Sequence, residues 1–201
     1  MDIIWHGHSC FTIKGKDATI VTDPFELGAK LPKFKADIVS LSGEGKIPEI
    51  DGTAKVLDWP GEFEVSNVAI VSLIPTNEQS IIFTFVLDGI RICHLGYLSQ
   101  ELSDEVLERI GDVDLLFLPI GGTPVLDGKM AQKVMEAIEP RIVIPMLFAA
   151  TESELKLAGP EDFLKAIGKT ELEAKDKYTL AGRASLPESN VEFVLMTPKE
   201  V

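Results

Sequence analysis

Histidine and cysteine are scarce in this sequence. Only 3 of the 201 residues are His and only 2 are Cys. Two cysteines exclude a scaffold held together by several disulfides, and so few soft ligands exclude a large zinc cluster. We predict that Cys10 and Cys93 are reduced thiols packed in the interior.

Basic side chains are also few. The chain has 19 Lys and Arg against 32 Asp and Glu, which gives a formal net charge of −13. Sequence-independent binding to nucleic acid or to an anionic membrane needs clustered Lys and Arg. The charge balance therefore excludes both as partners and is typical of a surface that favours solubility.

Long apolar runs are absent as well. Nowhere do about 18 apolar residues follow one another, so no segment has the pattern of a membrane-spanning helix. The first residues, Met1–His6, have neither a basic region nor a small-residue cleavage site. We expect a cytoplasmic protein.

The composition that is present, 45% hydrophobic and 25% charged, is typical of a folded domain. In the first half, short apolar runs are separated by turn residues, and Gly15–Asp17 predicts a hairpin. The second half alternates strand and helix patterns, with Ser103 and Asp127 as N-caps and Pro160 at the start of a third helix. We predict one α/β domain over 1–201, with two sheets clothed by helices.

Seven segments of the chain match the motifs of one known superfamily, in order. They are Trp5–Phe11, Thr22–Phe25, Ala36–Val39, Pro60–Val65, Asp88–Gly96, Val113–Gly122 and Ile142–Met146. Together they resemble the metallo-β-lactamase superfamily, specifically the small hydrolase-like branch that includes ascorbate-phosphate lactonase-like proteins. The resemblance implies a four-layer αβ/βα sandwich. It also implies hydrolysis of esters, lactones, amides or phosphodiesters with one or two metal ions.

The metal-ligand positions depart from the family pattern. The central motif, His-x-His-x-Asp-His, aligns with the loop after the Ile38–Leu41 strand, where none of the four residues at the ligand positions can bind a metal through its side chain. The positions concerned are Gly43, Gly45, Ile47 and Pro48. Tyr97 stands at the bridging Asp, Leu147 at the late His, and the 75–79 loop has no His. The family's two-metal site takes about five His, so we predict that the usual dinuclear site is absent.

Two hypotheses follow from this loss. The first is a non-catalytic binding or interaction module without a cofactor. Its partner would be an unknown protein or small molecule, a further copy of the chain or an active paralogue. The second is a metal-dependent hydrolase of esters, lactones or phosphoesters with a rebuilt mononuclear zinc site. Its ligand candidates are His6, His8, His94 and Asp23, and its catalytic candidates are His8, His94, Asp23 and Glu62.

The spacing of His6, His8 and Cys10 supports such a site, because residues at period two share one face of an extended strand. The same groups also suit a purely structural role as hydrogen-bonding supports of loops. Asp23 in particular can hold a loop through backbone amides. A thiol nucleophile, Cys10 with His8 or Cys93 with His94, would need an exposed thiolate. Adjacent residues of a strand face opposite sides, which disfavours the second pair.

Two further patterns have structural explanations. Ser42–Lys46 is rich in Gly and ends in Lys, but it lacks the spacing and the final Ser or Thr of a phosphate-binding loop. Glu62 and Glu64 lie two apart, as a carboxylate pair would, yet their place in a Pro-Gly-Glu-x-Glu stretch favours a corner of the fold.

Overall fold

The structure is a computed structural model that describes residues 1–28, 31–75, 79–150 and 155–199. The strands are β1 (Asp2–Trp5), β2 (Phe11–Lys14), β3 (Thr19–Thr22), β4 (Phe34–Lys35), β5 (Ile38–Ser40), β6 (Ile50–Asp51), β7 (Lys55–Leu57), β8 (Gly61–Val65), β9 (Val68–Leu73), β10 (Ile82–Leu87), β11 (Ile90–His94), β12 (Leu115–Pro119), β13 (Ile142–Met146), β14 (Tyr178–Thr179) and β15 (Glu192–Phe193). The α-helices are α1 (Asp104–Ile110), α2 (Gly128–Ile138) and α3 (Glu161–Ala166), and a 3₁₀ turn covers Arg183–Ser185. In the part of the chain that is described, no helix has the length and apolar character needed to span a bilayer.

Two large sheets carry the architecture. One has six strands in the order β14-β1-β2-β3-β5-β7, and the other has seven in the order β15-β13-β12-β11-β10-β9-β8. β4 and β6 pair separately. The predicted two-sheet α/β sandwich is confirmed.

The core lies between the sheets. Phe11 of the first sheet meets Phe117 of the second at a ring-centroid distance of 4.4 Å, and both are fully buried. A second apolar cluster lies around Phe25 and Phe34, apart from this main core. β12 and β13 are buried at every position, as expected of strands covered on both faces.

The helix ends follow the predicted capping chemistry. The Ser103 side chain accepts a hydrogen bond from the amide of Val106, and Asp127 accepts from the amides of Lys129 and Met130. Each cap satisfies amides that the helix itself leaves unpaired. The third helix begins after Pro160, as predicted.

Strand directions bring several loops to one edge of the sandwich. β3, β5 and β7 run parallel in the first sheet, and β11, β12 and β13 run parallel in the second. Contacts between loops of the two sheets join their carboxyl ends: the amide of Leu147 donates to the carbonyl of His8 at 3.1 Å, and that of Ile81 donates to Ser42 at 2.9 Å. The loops that follow these strands therefore meet at one end of the molecule.

Candidate functional site

The turn between β1 and β2 is the centre of this edge. The amide of His6 donates to the carbonyl of Cys10 at 2.8 Å, and the amide of Cys10 donates to Gly7 at 2.9 Å. Gly7 and His8 have φ values of 99° and 50°. The prediction that His6, His8 and Cys10 share one face of an extended strand is therefore wrong, because left-handed residues fold the segment into a tight turn.

His8 is held firmly by its backbone while its ring is unpaired. Its carbonyl accepts from the indole nitrogen of Trp5 at 3.0 Å and from the amide of Leu147 at 3.1 Å. Both ring nitrogens are buried without a hydrogen-bond partner among the described residues. Burial lowers the pKa of His8, so the ring is neutral at pH 7.

Ser9 contributes a buried hydroxyl next to His8 in the chain. The residue is fully buried, and its hydroxyl forms no well-aligned hydrogen bond with a described residue. That hydroxyl lies beside Asp23 and Tyr97 and acts to lower the pKa of each. Buried polar atoms are normally paired, so the two unpaired nitrogens of the neighbouring His8 ring mark a place where a partner is missing.

Asp23 has a bracing role. Its carboxylate accepts from the amide of Ser42 at 2.6 Å and from the hydroxyl of the same residue. Burial raises the pKa of Asp23, and nearby His94 and the Ser42 hydrogen bonds act in the opposite direction. The sequence-based interpretation of Asp23 as a loop support is confirmed by these contacts.

His94 is fully buried and has both ring nitrogens engaged. Nε2 lies 3.1 Å from the carbonyl of Ser9, and the amide of Gly96 donates to Nδ1 at 3.3 Å. The ring therefore carries its proton on Nε2 and donates it to the carbonyl. Burial lowers the pKa of His94, although Asp23 opposes this. This histidine fastens the turn to β11.

His6 lies on the other side of the turn. Its Nε2 is 2.8 Å from the hydroxyl of Thr12, and its ring meets Phe34 edge-on at 5.0 Å between centroids. Nδ1 has no partner among the described residues. Burial, with a smaller effect of Lys199, lowers the pKa of His6 to about 4.

The positions that hold metal ligands in the family are filled by packing. The ring of Tyr97 lies 3.7 Å from the point where a Gly43 side chain would begin, and the ring of Phe25 lies 2.6 Å from that point at Gly45. Ile47 packs against the cluster around Phe25. Any larger side chain at Gly45 would displace that ring.

The donor set does not fit a three-ligand zinc site. Catalytic zinc takes three protein ligands and keeps one open position. Among the described residues, no three His, Cys, Asp or Glu side chains lie together in a way that could hold a metal. The ring nitrogens of His94 are engaged by Ser9 and Gly96, and the carboxylate of Asp23 accepts from Ser42. Of the four candidate ligands, His8 and His6 are the ones that keep a ring nitrogen unpaired in the described chain for a metal. Residues 76–78 of the loop that lacks the family's His lie outside the described residues.

Glu62 is separated from the histidines. It is exposed on β8, the edge strand of the second sheet, where it pairs with Val71. None of the contacts found in the described chain joins it to the turn at His8. The catalytic role predicted for Glu62 thus finds no support in the geometry.

The thiol nucleophile and the phosphate-binding loop find no support either. Cys10 and Cys93 are buried, and burial raises the pKa of both thiols, so neither is an exposed thiolate. In the glycine-rich segment, Ser42 is occupied by Asp23, and Lys46 pairs with Glu26 at 2.5 Å. That segment is a surface loop and does not cradle a phosphate.

The sequence matches the family described as "Beta-lactamase superfamily domain" over residues 2–147. The chain belongs to this family. A Thermotoga maritima crystal structure, described as a candidate Zn-dependent hydrolase of the metallo-β-lactamase superfamily, superposes with a TM-score of 0.85 at 30% identity. The match covers 98% of this chain and 99% of that one. The predicted membership and the αβ/βα sandwich are both confirmed.

Two archaeal proteins are similar to this chain over most of their length. A Thermoplasma acidophilum protein named a UPF0173 metal-dependent hydrolase is 27% identical, over 84% of this chain and 91% of its own length. A Pyrococcus furiosus protein named a UPF0173 protein is 28% identical with the same coverage of both chains.

These names correct the first hypothesis. Relatives of nearly full length are named metal-dependent hydrolases, and the Thermotoga protein is described as a candidate Zn-dependent hydrolase. The prediction of a non-catalytic module is wrong on this comparison, and the companion prediction that no cofactor is needed is not supported. The loss of the usual ligand residues is therefore not sufficient to infer a non-catalytic protein.

Sequence reasoning misses two residues of the site. Serine is common, and neither Ser9 nor Ser42 belongs to a recognisable catalytic spacing. The signal for Ser9 is its place between His8 and Cys10 in the Trp5–Phe11 motif of the superfamily.

Proposed function

We propose that the chain is a hydrolase of esters, lactones or phosphoesters whose site is centred on the turn at His8 and Ser9. The observation that carries the proposal is the ring of His8, both of whose nitrogens are buried and unpaired among the described residues. A substrate or a reacting water is the partner these atoms lack.

His8 has the properties of a general base. Burial lowers the pKa of its ring, which leaves a nitrogen lone pair free at neutral pH. In the proposed reaction, a water adds to the carbonyl carbon or the phosphorus and its proton passes to His8. The ring then returns the proton to the leaving oxygen as the bond to it breaks. The left-handed backbone at His8, with φ of 50°, keeps this ring at the turn.

The proposal includes metal dependence because relatives of this chain are named metal-dependent hydrolases. The names of the relatives make zinc the first cofactor to test in this chain. Because the described donors do not fit a three-ligand site, the proton transfers are assigned to His8 and none to a metal.

The test is a substrate panel with purified protein. The panel contains a p-nitrophenyl ester, a γ-lactone, a phosphomonoester and a phosphodiester, each with and without added Zn²⁺ or Mn²⁺. We expect turnover of at least one class, and a loss of about 10²–10⁴-fold in His8→Asn, the range typical of a general base. Glu62→Gln is the control and should keep the wild-type rate.

Two results would overturn the proposal. The first is no turnover of any class under either metal condition. The second is a His8→Asn protein as active as Glu62→Gln, with both variants folded as judged by thermal unfolding.

A further inference from the structure

We infer that the hydroxyl of Tyr97 is a catalytic group of this hydrolase, donating a hydrogen bond to the substrate oxygen that gains negative charge. The inference rests on the proposed function and names a second residue of the same site. It concerns the position at which the superfamily resemblance places a bridging carboxylate.

The backbone of Tyr97 is fixed at the end of β11. Gly96 has a φ of 57° and turns the chain away from His94. The amide of Tyr97 then donates to the hydroxyl of Ser80 at 2.8 Å. These two features fix the position of the Tyr97 backbone at the edge of the site.

Two neighbours hold the ring of Tyr97. Its edge carbons lie 3.7 and 3.8 Å from the point where a side chain on Gly43 would begin, so the ring lies directly over that glycine. Phe25 is on another side, with 6.5 Å between ring centroids. The ring thereby lies in van der Waals contact with the loop after β5 and beside Phe25 of the loop after β3.

The hydroxyl of Tyr97 lies among the polar groups of the turn. It interacts with the hydroxyl of Ser9, and Asp23 is close enough to raise its pKa further after burial has raised it. The group is therefore a neutral O–H donor at any pH near neutrality. The residue as a whole is only partly buried.

The chemistry assigned to Tyr97 moves no proton. Water addition turns a carbonyl oxygen into an oxyanion, or spreads charge over phosphoryl oxygens, and a fixed O–H donor stabilises that charge. The proton of the attacking water goes to His8, and Tyr97 keeps its own. Ser9, whose hydroxyl interacts with that of Tyr97, follows His8 in the chain and so links the two groups.

The test compares two Tyr→Phe variants that each remove one hydroxyl. Tyr97→Phe keeps the ring that packs on Gly43, so it should fold like the wild type. Tyr178→Phe is the matched control, since the hydroxyl of Tyr178 donates to Glu192 at 3.0 Å on the strand next to β1, away from the turn. Steady-state rates are measured on the substrate that the panel identifies.

We expect kcat of Tyr97→Phe to fall about 10²–10³-fold, as for loss of one oxyanion donor, with KM within about twofold of the wild type. Tyr178→Phe should keep kcat. A structural role would instead lower the unfolding temperature and leave kcat intact.

The outcomes separate the two claims. If the wild type turns over a substrate and Tyr97→Phe keeps its kcat, the role of Tyr97 is wrong and the proposed function stands. If the wild type turns over nothing on the panel, the proposed function fails, and the inference fails with it.

Discussion

Asp23 and Ser42 are joined twice, since one carboxylate accepts from both the amide and the hydroxyl of the serine. Both residues are buried. Asp23 has a φ of 40° at the end of β3, and Ser42 opens the loop that carries the family's ligand motif elsewhere in the superfamily. The pair fixes the start of this loop to the end of β3.

Removing the Asp23 carboxylate should therefore destabilise the fold. Asp23→Ala leaves a buried amide and a buried hydroxyl without an acceptor, and we expect a loss of about 3 kcal/mol in the free energy of unfolding. Asp23→Asn keeps one acceptor oxygen and should cost less. Urea unfolding at a pH of about 7.5, where the carboxylate contacts are fully formed, measures both.

Asp37→Asn is the control for this prediction. The carboxylate of Asp37 also accepts from a backbone amide, that of Thr19 at 2.7 Å, but the residue is exposed. Its replacement should cost less than about 1 kcal/mol. Equal costs for Asp23→Ala and Asp37→Asn would contradict the bracing role.

Gly96 should tolerate no side chain. Its φ of 57° is unfavourable for other residues, and a Cβ would come within 2.5 Å of the Ser80 hydroxyl and 2.6 Å of Ser42 Cβ. Gly89 also has a positive φ, 75°, but open space around it. We expect Gly89→Ala to cost about 1 kcal/mol and Gly96→Ala at least about 2 kcal/mol more. Similar unfolding midpoints for the two variants would show that Gly96 is not tightly enclosed.

Acid should weaken the fold through the buried histidines. Burial lowers the pKa of His6 to about 4, so between that value and the unfolded pKa of 6.5 the unfolded state binds more protons. The contribution is fully present above pH 6.5 and is lost as the pH falls toward 4. For His6 alone it is on the order of 3 kcal/mol. His6→Gln should flatten this dependence, and an unchanged pH profile of urea unfolding would refute the assignment.

Much of the fold can be predicted from the sequence. The helix starts at Ser103 and Asp127 and the buried strand Ile142–Met146 depend on local capping and apolar runs, and the structure reproduces them. The strand Asp2–Trp5 is short, and its place in the sheet is set by non-local pairing with β2 and β14.

The site is harder to predict. Period-two spacing suggests that His6 and His8 share one face of a strand. Gly7 and His8 have positive φ values, however, so the segment forms a turn and that expectation fails. The contact of Tyr97 with Gly43 joins loops from different sheets and leaves no local signal. The absence of the usual ligand residues is visible in the sequence, but the groups that stand in their place are brought together only by the meeting of distant loops.

The pH dependence of kcat/KM in the wild type and in His8→Asn, measured on the best panel substrate from about pH 4.5 to 8, is the sharpest test of His8 as the general base. We predict that the wild-type rate falls on the acid side of 6.5 as His8 takes up a proton, and that His8→Asn loses both most of the rate and this acid limb. An equal rate with the same acid limb in both proteins would contradict this role of His8.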